Sequence, residues 1–206
     1  MAVLSLKDWK VKHVRKSNPL ISGKKVLGKG QFCQVFESNN PDRVFKLTAD
    51  HFHVEYLLDP YSPKGLFKPV VHEDHGIVAE TNLGADVWLL EVERLYPLTR
   101  GSDNYRLAKA LEHFWESTSY ERLPEKSDVA HETLKSVQRL LSDELLEYMA
   151  EVNGFTYNFC CKLDIHLKNF MQRTDGTLIF SDPVLDTILL DESKRCRARS
   201  VIRAMA

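Results

Sequence analysis

The stretch Lys162-Leu163-Asp164-Ile165-His166-Leu167-Lys168-Asn169, with Asp182 thirteen positions after Asn169, decides how this chain is interpreted. Oxygen ligands suit magnesium ions, and Asn169 and Asp182 can supply them. Asp164 can act as general base toward an acceptor hydroxyl, and Lys168 can neutralise charge on a migrating phosphoryl group. The spacing therefore predicts the machinery of phosphoryl transfer from ATP.

The same stretch also fits an ordinary loop followed by a β-hairpin. The apolar runs 169–171 and 178–180 flank residues 172–177, which contain the turn pair Asp175-Gly176. A hairpin would in addition bring Asn169 and Asp182 to one side. Both interpretations therefore predict the hairpin, and it does not separate them.

A glycine-rich pattern precedes this stretch in the amino-terminal third. Residues 26–36 follow Gly-x-Gly-x-x-Gly-x-Val, with Cys33 at the third glycine position and Val35 at the valine position. Gly28 and Gly30 allow the backbone to approach phosphates closely. We expect Phe32, at the tip, to shield those phosphates from water.

A strand with a lysine follows the turn at residues 39–42. Lys46 has apolar neighbours on both sides in the run 43–47 and is placed to bind the α- and β-phosphates. Glu55, nine residues later on a short predicted helix, is the candidate ion-pair partner of Lys46. A solvated glutamate at this position is the alternative.

In this order the motifs resemble the protein kinase superfamily, and more narrowly the early serine/threonine protein kinases of podoviral phages in the T-seven group. The resemblance extends over residues 24–185 and rests on residues 27–32, 42–46, 163–169 and 180–184. It implies an α+β, bilobal, protein-kinase-like fold with ATP between the lobes. Residues 1–98 would form an antiparallel β-sheet N-lobe, and residues 99–206 a reduced, mainly helical C-lobe.

The resemblance also implies roles for single residues. Lys46 would bind phosphate, Asp164 would be the catalytic base, and Asn169 and Asp182 would hold Mg²⁺. The substrates would be proteins of a bacterial host, modified on serine or threonine by a phage-encoded enzyme in the host cytoplasm.

Three departures from the common kinase pattern refine this expectation. Leu163 stands where most eukaryotic enzymes have an arginine that pairs with a phosphorylated activation loop, so control by that route is not expected. Pro183 follows Asp182 and restricts its backbone, which argues against flipping of that aspartate. His166 resembles the Asp-x-His-x-x-Asn pattern of small-molecule phosphotransferases, so a non-protein acceptor remains open.

The middle of the chain predicts a linker and helices. Residues 87–98 fit a strand running into a hinge, where backbone groups from Glu93 to Leu95 would bind the adenine edge. Apolar residues at helical spacing predict a helix over 104–115 and one or two helices over 127–152, ending at Asn153-Gly154. Only 24 residues follow Asp182, so the C-lobe is expected to lack a full peptide-docking platform.

Composition excludes several other classes. The chain has 206 residues, 43% of them hydrophobic, and a net charge of −1, which argues against a generic nucleic-acid binder. No apolar run is long enough for a membrane span or a signal peptide. The four cysteines lack Cys-x-x-Cys spacing, which favours a reducing cytoplasm. His51, His53, His72 and His75 are expected to be surface histidines rather than zinc ligands.

Three functions are therefore compared. The first is a constitutively active serine/threonine protein kinase that uses ATP and Mg²⁺ and acts on host proteins, with the enzyme itself as a further candidate substrate. The second is a small-molecule phosphotransferase similar to the aminoglycoside kinases. The third is a catalytically inactive kinase fold that acts as a binding protein, which the retention of Lys46, Asp164 and Asp182 disfavours. The oligomeric state is left open.

Overall fold

The computed structural model describes residues 9–81, 84–118, 132 and 135–194, and the fold is described for these residues. The chain divides into two compact units. The first unit consists of residues 1–60, 70–94 and 185–206, and the second of residues 61–69 and 95–184.

The first unit is built on a five-stranded sheet in the order β1-β2-β3-β5-β4, and every pair of neighbours in it is antiparallel. Its elements up to residue 94 are α1 Trp9–Ser17, β1 Val26–Lys29, β2 Cys33–Glu37, β3 Arg43–Thr48, α2 His51–Leu58, β4 Val71–Glu80 and β5 Asp86–Glu93. Together with the helices of both units, this sheet confirms the predicted α+β class.

One face of the sheet carries the hydrophobic core of the first unit. Phe36 and Phe45 are directly opposite each other on β2 and β3, so their rings point to the same side. Helix α1 packs against β4, and its Arg15 guanidinium lies 5.2 Å from the centre of the Phe36 ring. The buried core residues are Val14, Ile21, Phe32, Phe36, Phe45, Leu47, Ala49, Val87, Leu89 and Leu189.

Residues 185–194 belong to the first unit, whereas the predicted division placed them with residues 99–206. Residues 187–194 form helix α5, and the Asp186 carboxylate caps it by accepting a bond of 2.9 Å from the Leu189 N–H. The Asp186 N–H donates to the Asp50 carboxylate at 3.3 Å, and Leu189 is buried in the core. Burial of this helix face draws the segment back to the sheet.

Among its described residues, the second unit has two long helices and several short strands. Its elements are β6 Tyr96–Pro97, α3 Asp103–Thr118, a one-turn 3-10 helix Gln138–Leu140, α4 Asp143–Phe159, β7 Lys162–Leu163, a 3-10 helix Leu167–Asn169, β8 Phe170–Gln172, β9 Leu178–Phe180 and β10 Val184–Leu185. Strands β6, β8 and β9 form one sheet, and β7 pairs with β10 in a second. The boundary between the two units lies between Val184 and Leu185, the two residues of β10. Helix α3 confirms the predicted helix over 104–115.

Helix α4 buries one face against aromatic side chains of the second unit. Its buried residues recur at helical spacing: Leu145, Tyr148, Met149, Val152, Phe155 and Thr156. The Tyr148 ring centre lies 5.6 Å from that of Phe67 and 5.3 Å from that of Phe180. Phe180 in turn meets Phe170 edge to face at 4.8 Å. These rings form part of the core of the second unit.

The predicted hairpin is confirmed. Strand β8 pairs antiparallel with β9, and the Arg173 N–H donates to the Thr177 carbonyl at 3.0 Å. Gly176 has φ of 88°, a left-handed conformation that residues with a Cβ rarely adopt. The Asp175 side chain closes the turn by accepting a bond of 2.8 Å from the Thr177 N–H.

The predicted end of a helix at Asn153-Gly154 is wrong. Helix α4 begins at the predicted place, where Ser142 caps it, but continues to Phe159 and ends at Cys160, whose φ is 54°. Val152, Phe155 and Thr156 are buried on either side of Gly154 in sequence. Their burial outweighs the roughly 1 kcal/mol that a glycine costs inside a helix.

Part of the predicted helical stretch 127–152 lies outside the described residues, namely 127–131, 133 and 134. Over the ranges that the structure describes, no helix combines the length and the apolar character needed to cross a membrane.

Gly154 and Gly176 of the second unit play different roles, and replacing each by alanine should change the free energy of unfolding in opposite directions. Gly154→Ala should raise the free energy of unfolding by about 0.5–1 kcal/mol, because Gly154 is inside α4 and an added Cβ meets nothing within 4 Å. Gly176→Ala, at φ of 88°, should lower it by about 1–2 kcal/mol. Urea titration of both variants measures the difference, and a destabilising Gly154→Ala would contradict an uninterrupted α4.

Candidate functional site

Two backbone hydrogen bonds hold Asp182 beside Asp164 and Asn169 in the second unit. The Asp164 N–H donates to the Pro183 carbonyl at 2.8 Å, and the Ser181 N–H donates to the Asn169 carbonyl at 2.8 Å. Asp182 therefore lies between two residues that are each tied to the 164–169 loop. The three residues separated by five and thirteen positions in sequence converge in the structure, as the spacing predicted.

The Asn169 side chain links the two ends of the loop. Its amide nitrogen Nδ2 donates to the Asp164 carbonyl at 2.7 Å and to the Asp164 carboxylate oxygen Oδ2 at 2.8 Å. A carboxylate and a carbonyl only accept hydrogen bonds, so the nitrogen of the amide must face Asp164. The amide oxygen of Asn169 is consequently on the opposite side, where it can bind a cation.

The other carboxylate oxygen of Asp164 faces a histidine. His166 Nε2 lies 3.2 Å from Asp164 Oδ1, and His166 Nδ1 lies 3.6 Å from Oε1 of Glu112. The same Glu112 oxygen accepts a bond of 2.9 Å from the Leu167 N–H. Sequence analysis did not identify Glu112, because no motif connects a residue of α3 to a loop more than fifty positions later.

The pKa of the Asp164 carboxyl group is raised above its ordinary value. Partial burial is the largest cause, and the negative charge of Asp182 adds to it. The hydrogen bond from Asn169 and the charges of His166 and Lys162 act in the opposite direction without reversing the shift. Two carboxylates are thus held near each other, an arrangement that a bound cation would stabilise.

Lys168 lies in the 3-10 helix that ends at Asn169, and it is exposed. Lys168 is next to Asn169 in sequence, and burial does not fix the position of its side chain. The catalytic role predicted for it stays a prediction.

In the first unit, three of the predicted phosphate-binding residues share one face of the sheet. Val35 on β2 is directly opposite Lys46 on β3, and Gly28 on β1 is directly opposite Val35. Directly opposed residues of antiparallel strands project to the same side. Lys46 is buried, with 8% of its surface exposed, on the face opposite Phe36 and Phe45.

The structure corrects the predicted partner of Lys46. The Lys46 ammonium lies 2.5 Å from Nε2 of His53, whereas Glu55 lies 3.6 Å from Nε2 of His51. Both His53 and Glu55 are on α2, but residues two apart point to nearly opposite sides of a helix. His53 is 1% exposed, so its prediction as a surface histidine is also wrong.

The Asp50 cap explains why His53 rather than Glu55 faces the sheet. The Asp50 carboxylate accepts a bond of 3.0 Å from the His53 N–H and starts α2 immediately after β3. Helix α2 then buries His53, Val54, Tyr56 and Leu57, a set that excludes position 55. The start of the helix therefore determines which side chain reaches Lys46.

The glycine-rich hairpin differs from expectation at its tip. Phe32 was predicted to shield phosphates, but it is 5% exposed and belongs to the hydrophobic core, because burial of an aromatic ring is strongly favourable. The Gly30 N–H donates to the Cys33 carbonyl at 2.9 Å. A Cβ at Gly30 would lie 2.8 Å from the Cys33 sulfur, so the Cys33 side chain would have to move if Gly30 were replaced.

The predicted hinge is already partly hydrogen-bonded within the first unit. The Glu93 N–H donates to the Val70 carbonyl at 2.9 Å, and the Glu93 carboxylate accepts from the Val70 N–H at 2.8 Å. The Glu93 N–H is therefore not available to an adenine ring. Leu95 begins the second unit, and its predicted role is unchanged.

The residues that could hold a metal ion combine one amide with one carboxylate. Within the described part of the chain, no group of three or more His, Cys, Asp or Glu residues is arranged around a common metal position. Asn169 and Asp182 instead offer oxygen atoms alone, a donor set that suits Mg²⁺ and does not suit zinc.

Comparisons with protein-family models, with curated proteins and with solved structures find no match to this chain. Function is therefore argued from the residues of the two units and their geometry, since a fold alone does not imply a function.

Replacing Asp164 by asparagine should stabilise the protein at neutral pH. A raised pKa in the folded state means that stability falls as the pH rises from the unfolded-state pKa to the folded-state pKa, and that the full cost of the ionised carboxylate is present above the folded-state pKa. Asp164→Asn should therefore raise the free energy of unfolding at pH 7. The gain should shrink as the pH falls toward about 3.9, the usual aspartate value, and vanish well below it, where the carboxyl group is protonated in both states.

Urea unfolding of both proteins between pH 4 and 8 would measure this effect. Asp175→Asn is the matched control, because hydrogen bonds from Thr177 lower the pKa of Asp175, so its replacement should give no gain at neutral pH. If Asp164→Asn lowered the free energy of unfolding at pH 7, the result would contradict a raised pKa of Asp164 in the folded protein.

Proposed function

We propose that this chain is an ATP-dependent serine/threonine protein kinase that acts on proteins of a bacterial host cell. The observation that carries the proposal is the convergence of Asp164, Asn169 and Asp182, with the Asn169 amide donating to both the backbone and the carboxylate of Asp164. The placement of Gly28, Val35 and Lys46 on one face of the first unit's sheet gives independent support.

Asp164 would orient the acceptor and receive its proton. Its Oδ2 is held by Asn169 and its Oδ1 lies against His166, so the carboxylate has one preferred orientation. As the hydroxyl oxygen bonds to the γ-phosphorus, the bond from that phosphorus to the bridging oxygen breaks and ADP leaves with the electron pair. The hydroxyl proton passes to Asp164.

Three further groups would neutralise the charge of the triphosphate. Lys46, buried on β3, would bind the α- and β-phosphates, which a buried cation does more strongly than an exposed one. Mg²⁺, held by the amide oxygen of Asn169 and the carboxylate of Asp182, would shield the phosphate oxygens. Lys168 would contribute a further positive charge beside Asn169.

A small-molecule phosphotransferase is the second candidate, and one observation favours it. His166, the residue that resembles the pattern of those enzymes, lies 3.2 Å from the Asp164 carboxylate. The two candidates share the donor and the base and differ in the acceptor. A binding protein without catalytic activity is the third candidate, and the supporting geometry at Asp164 argues against it.

Transfer of labelled γ-phosphate from ATP to host-cell lysate proteins, to the enzyme itself and to small metabolites tests the proposal. We expect labelled proteins with the wild type, and at least a 100-fold loss in Asp164→Ala and Asp182→Ala, the scale expected when a positioned base or a charge-stabilising group is removed. Asp191→Asn, an exposed carboxylate on α5, is the matched control and should retain activity.

The outcomes separate the three candidates. Label found only in small metabolites would select the second candidate, and the absence of any ATP-dependent label would select the third. Near-normal turnover in Asp182→Ala would show that this carboxylate holds no essential metal ion and would refute the assignment.

The contact between Lys46 and His53 predicts a different sensitivity for two residues of the same helix. His53→Ala should raise KM for ATP by roughly ten-fold, because removing a buried hydrogen-bond partner of a charged group costs about 1.5–3 kcal/mol. Glu55→Ala, which removes a partly exposed side chain next to His51, should change it by less than about two-fold. Steady-state kinetics with varied ATP measure both effects. A larger effect of Glu55→Ala than of His53→Ala would support Glu55 as the partner of Lys46.

A further inference from the structure

Glu112 lies outside the predicted motifs and contacts the loop containing Asp164 at two points. It lies on α3, which packs against the 3-10 helix Leu167–Asn169. One of its carboxylate oxygens, Oε1, accepts the Leu167 N–H at 2.9 Å and lies 3.6 Å from His166 Nδ1. The other nitrogen of that imidazole lies 3.2 Å from Asp164 Oδ1.

These contacts differ from those of an ordinary surface ion pair. An exposed pair holds two mobile side chains together and contributes little. Glu112 instead has 26% of its side chain exposed and accepts a backbone N–H, which cannot move independently of the loop. An N–H bond to a charged acceptor is also among the stronger hydrogen bonds in proteins.

The arrangement also completes the surroundings of the Asp164 carboxylate. Asn169 donates to Oδ2, so that oxygen is fixed from within the loop. Oδ1 has His166 as its neighbour, and His166 has a rotatable side chain that is 56% exposed. Without a second contact on the imidazole, the orientation of Oδ1 would depend on a ring that is free to turn. Glu112 supplies that contact from a rigid helix.

We propose that Glu112 is a positioning residue for phosphoryl transfer and that it acts through His166 on Asp164. The proposal rests on the proposed function, because it assigns to Asp164 the role of the base. Glu112 restrains the imidazole ring and the backbone at Leu167 at the same time, and His166 then holds Oδ1 of Asp164. Residues that orient a reacting group in this way affect turnover much more than substrate binding.

Steady-state kinetics of Glu112→Ala, Glu112→Gln and His166→Phe, with ATP and acceptor varied separately, test the proposal. Glu112→Ala should lower kcat by roughly 10–100-fold, the usual range for residues that orient a reacting side chain. Its KM for ATP should change by less than about two-fold, as expected for an interaction that serves the transition state rather than binding. Glu112→Gln keeps an oxygen that accepts the Leu167 N–H and should recover part of the loss.

A double-mutant cycle distinguishes action through His166 from a general effect on the helix. If Glu112 acts through the imidazole, the double variant of Glu112→Ala with His166→Phe should lose little more than the worse single variant. Additive losses would overturn the proposal. Glu147→Ala, an exposed glutamate on α4 of the same unit, is the matched control and should leave kcat unchanged.

The remaining outcomes are also decisive. A fall of kcat in Glu112→Ala no larger than that in Glu147→Ala overturns the proposal, as does a loss that is entirely in KM for ATP. If Glu112→Ala does not fold, Glu112→Gln takes its place in the cycle, and losses that add to those of His166→Phe would then exclude the chain of contacts. An inactive wild-type protein refutes the proposed function itself, which makes that failure distinguishable from failure of the role of Glu112.

Discussion

The two hydrogen bonds from the Asn169 amide to Asp164 are the constraint on which the rest of the site depends. By bonding both the carbonyl and the carboxylate of Asp164, a single side chain fixes the shape of the loop and the direction of the Asp164 carboxylate. It also determines which atom of Asn169 remains for a cation, because an amide whose nitrogen is used can offer only its oxygen. Asp182 is then brought to the same side by backbone bonds from Asp164 and Ser181.

Several acidic groups lie near one another in the second unit, and the repulsion between them lowers the stability of the fold. The raised pKa of Asp164 reflects partial burial and the charge of Asp182, and Glu112 adds a third carboxylate near the same loop. His166 and Lys162 offset part of this repulsion. Groups whose pKa is shifted by burial and by like charges are found frequently at functional sites, where stability is given up for chemistry.

The local sequence was sufficient to predict those turns and helix ends that neighbouring residues determine. The hairpin could be predicted because Asp175-Gly176 provides the turn chemistry, and α4 could be placed at its start because Ser142 is a good cap followed by acidic residues. The end of α4 could not be predicted, since burial of Phe155 and Thr156 outweighs the local preference of Gly154.

The site was predictable to the extent that its residues belong to a spaced motif. Asp164, Asn169 and Asp182 were found in this way, and their convergence follows the spacing. The Lys46 contact was mispredicted, because the choice between His53 and Glu55 depends on how α2 faces the sheet, which is a property of tertiary structure. Glu112 could not be predicted, because the sequence does not distinguish it from a solvent-exposed glutamate on an amphipathic helix.

The path of the chain between its two units has a consequence for how the protein can change. The chain passes from one unit to the other after Pro60, Pro69, Arg94 and Val184, so neither unit corresponds to one continuous gene segment. Because the first unit includes segments on both sides of the second unit in sequence, a single crossover, the usual route by which domains are exchanged between genes, leaves the first unit with segments from two parents. Exchange of either unit as a whole therefore requires more than one crossover.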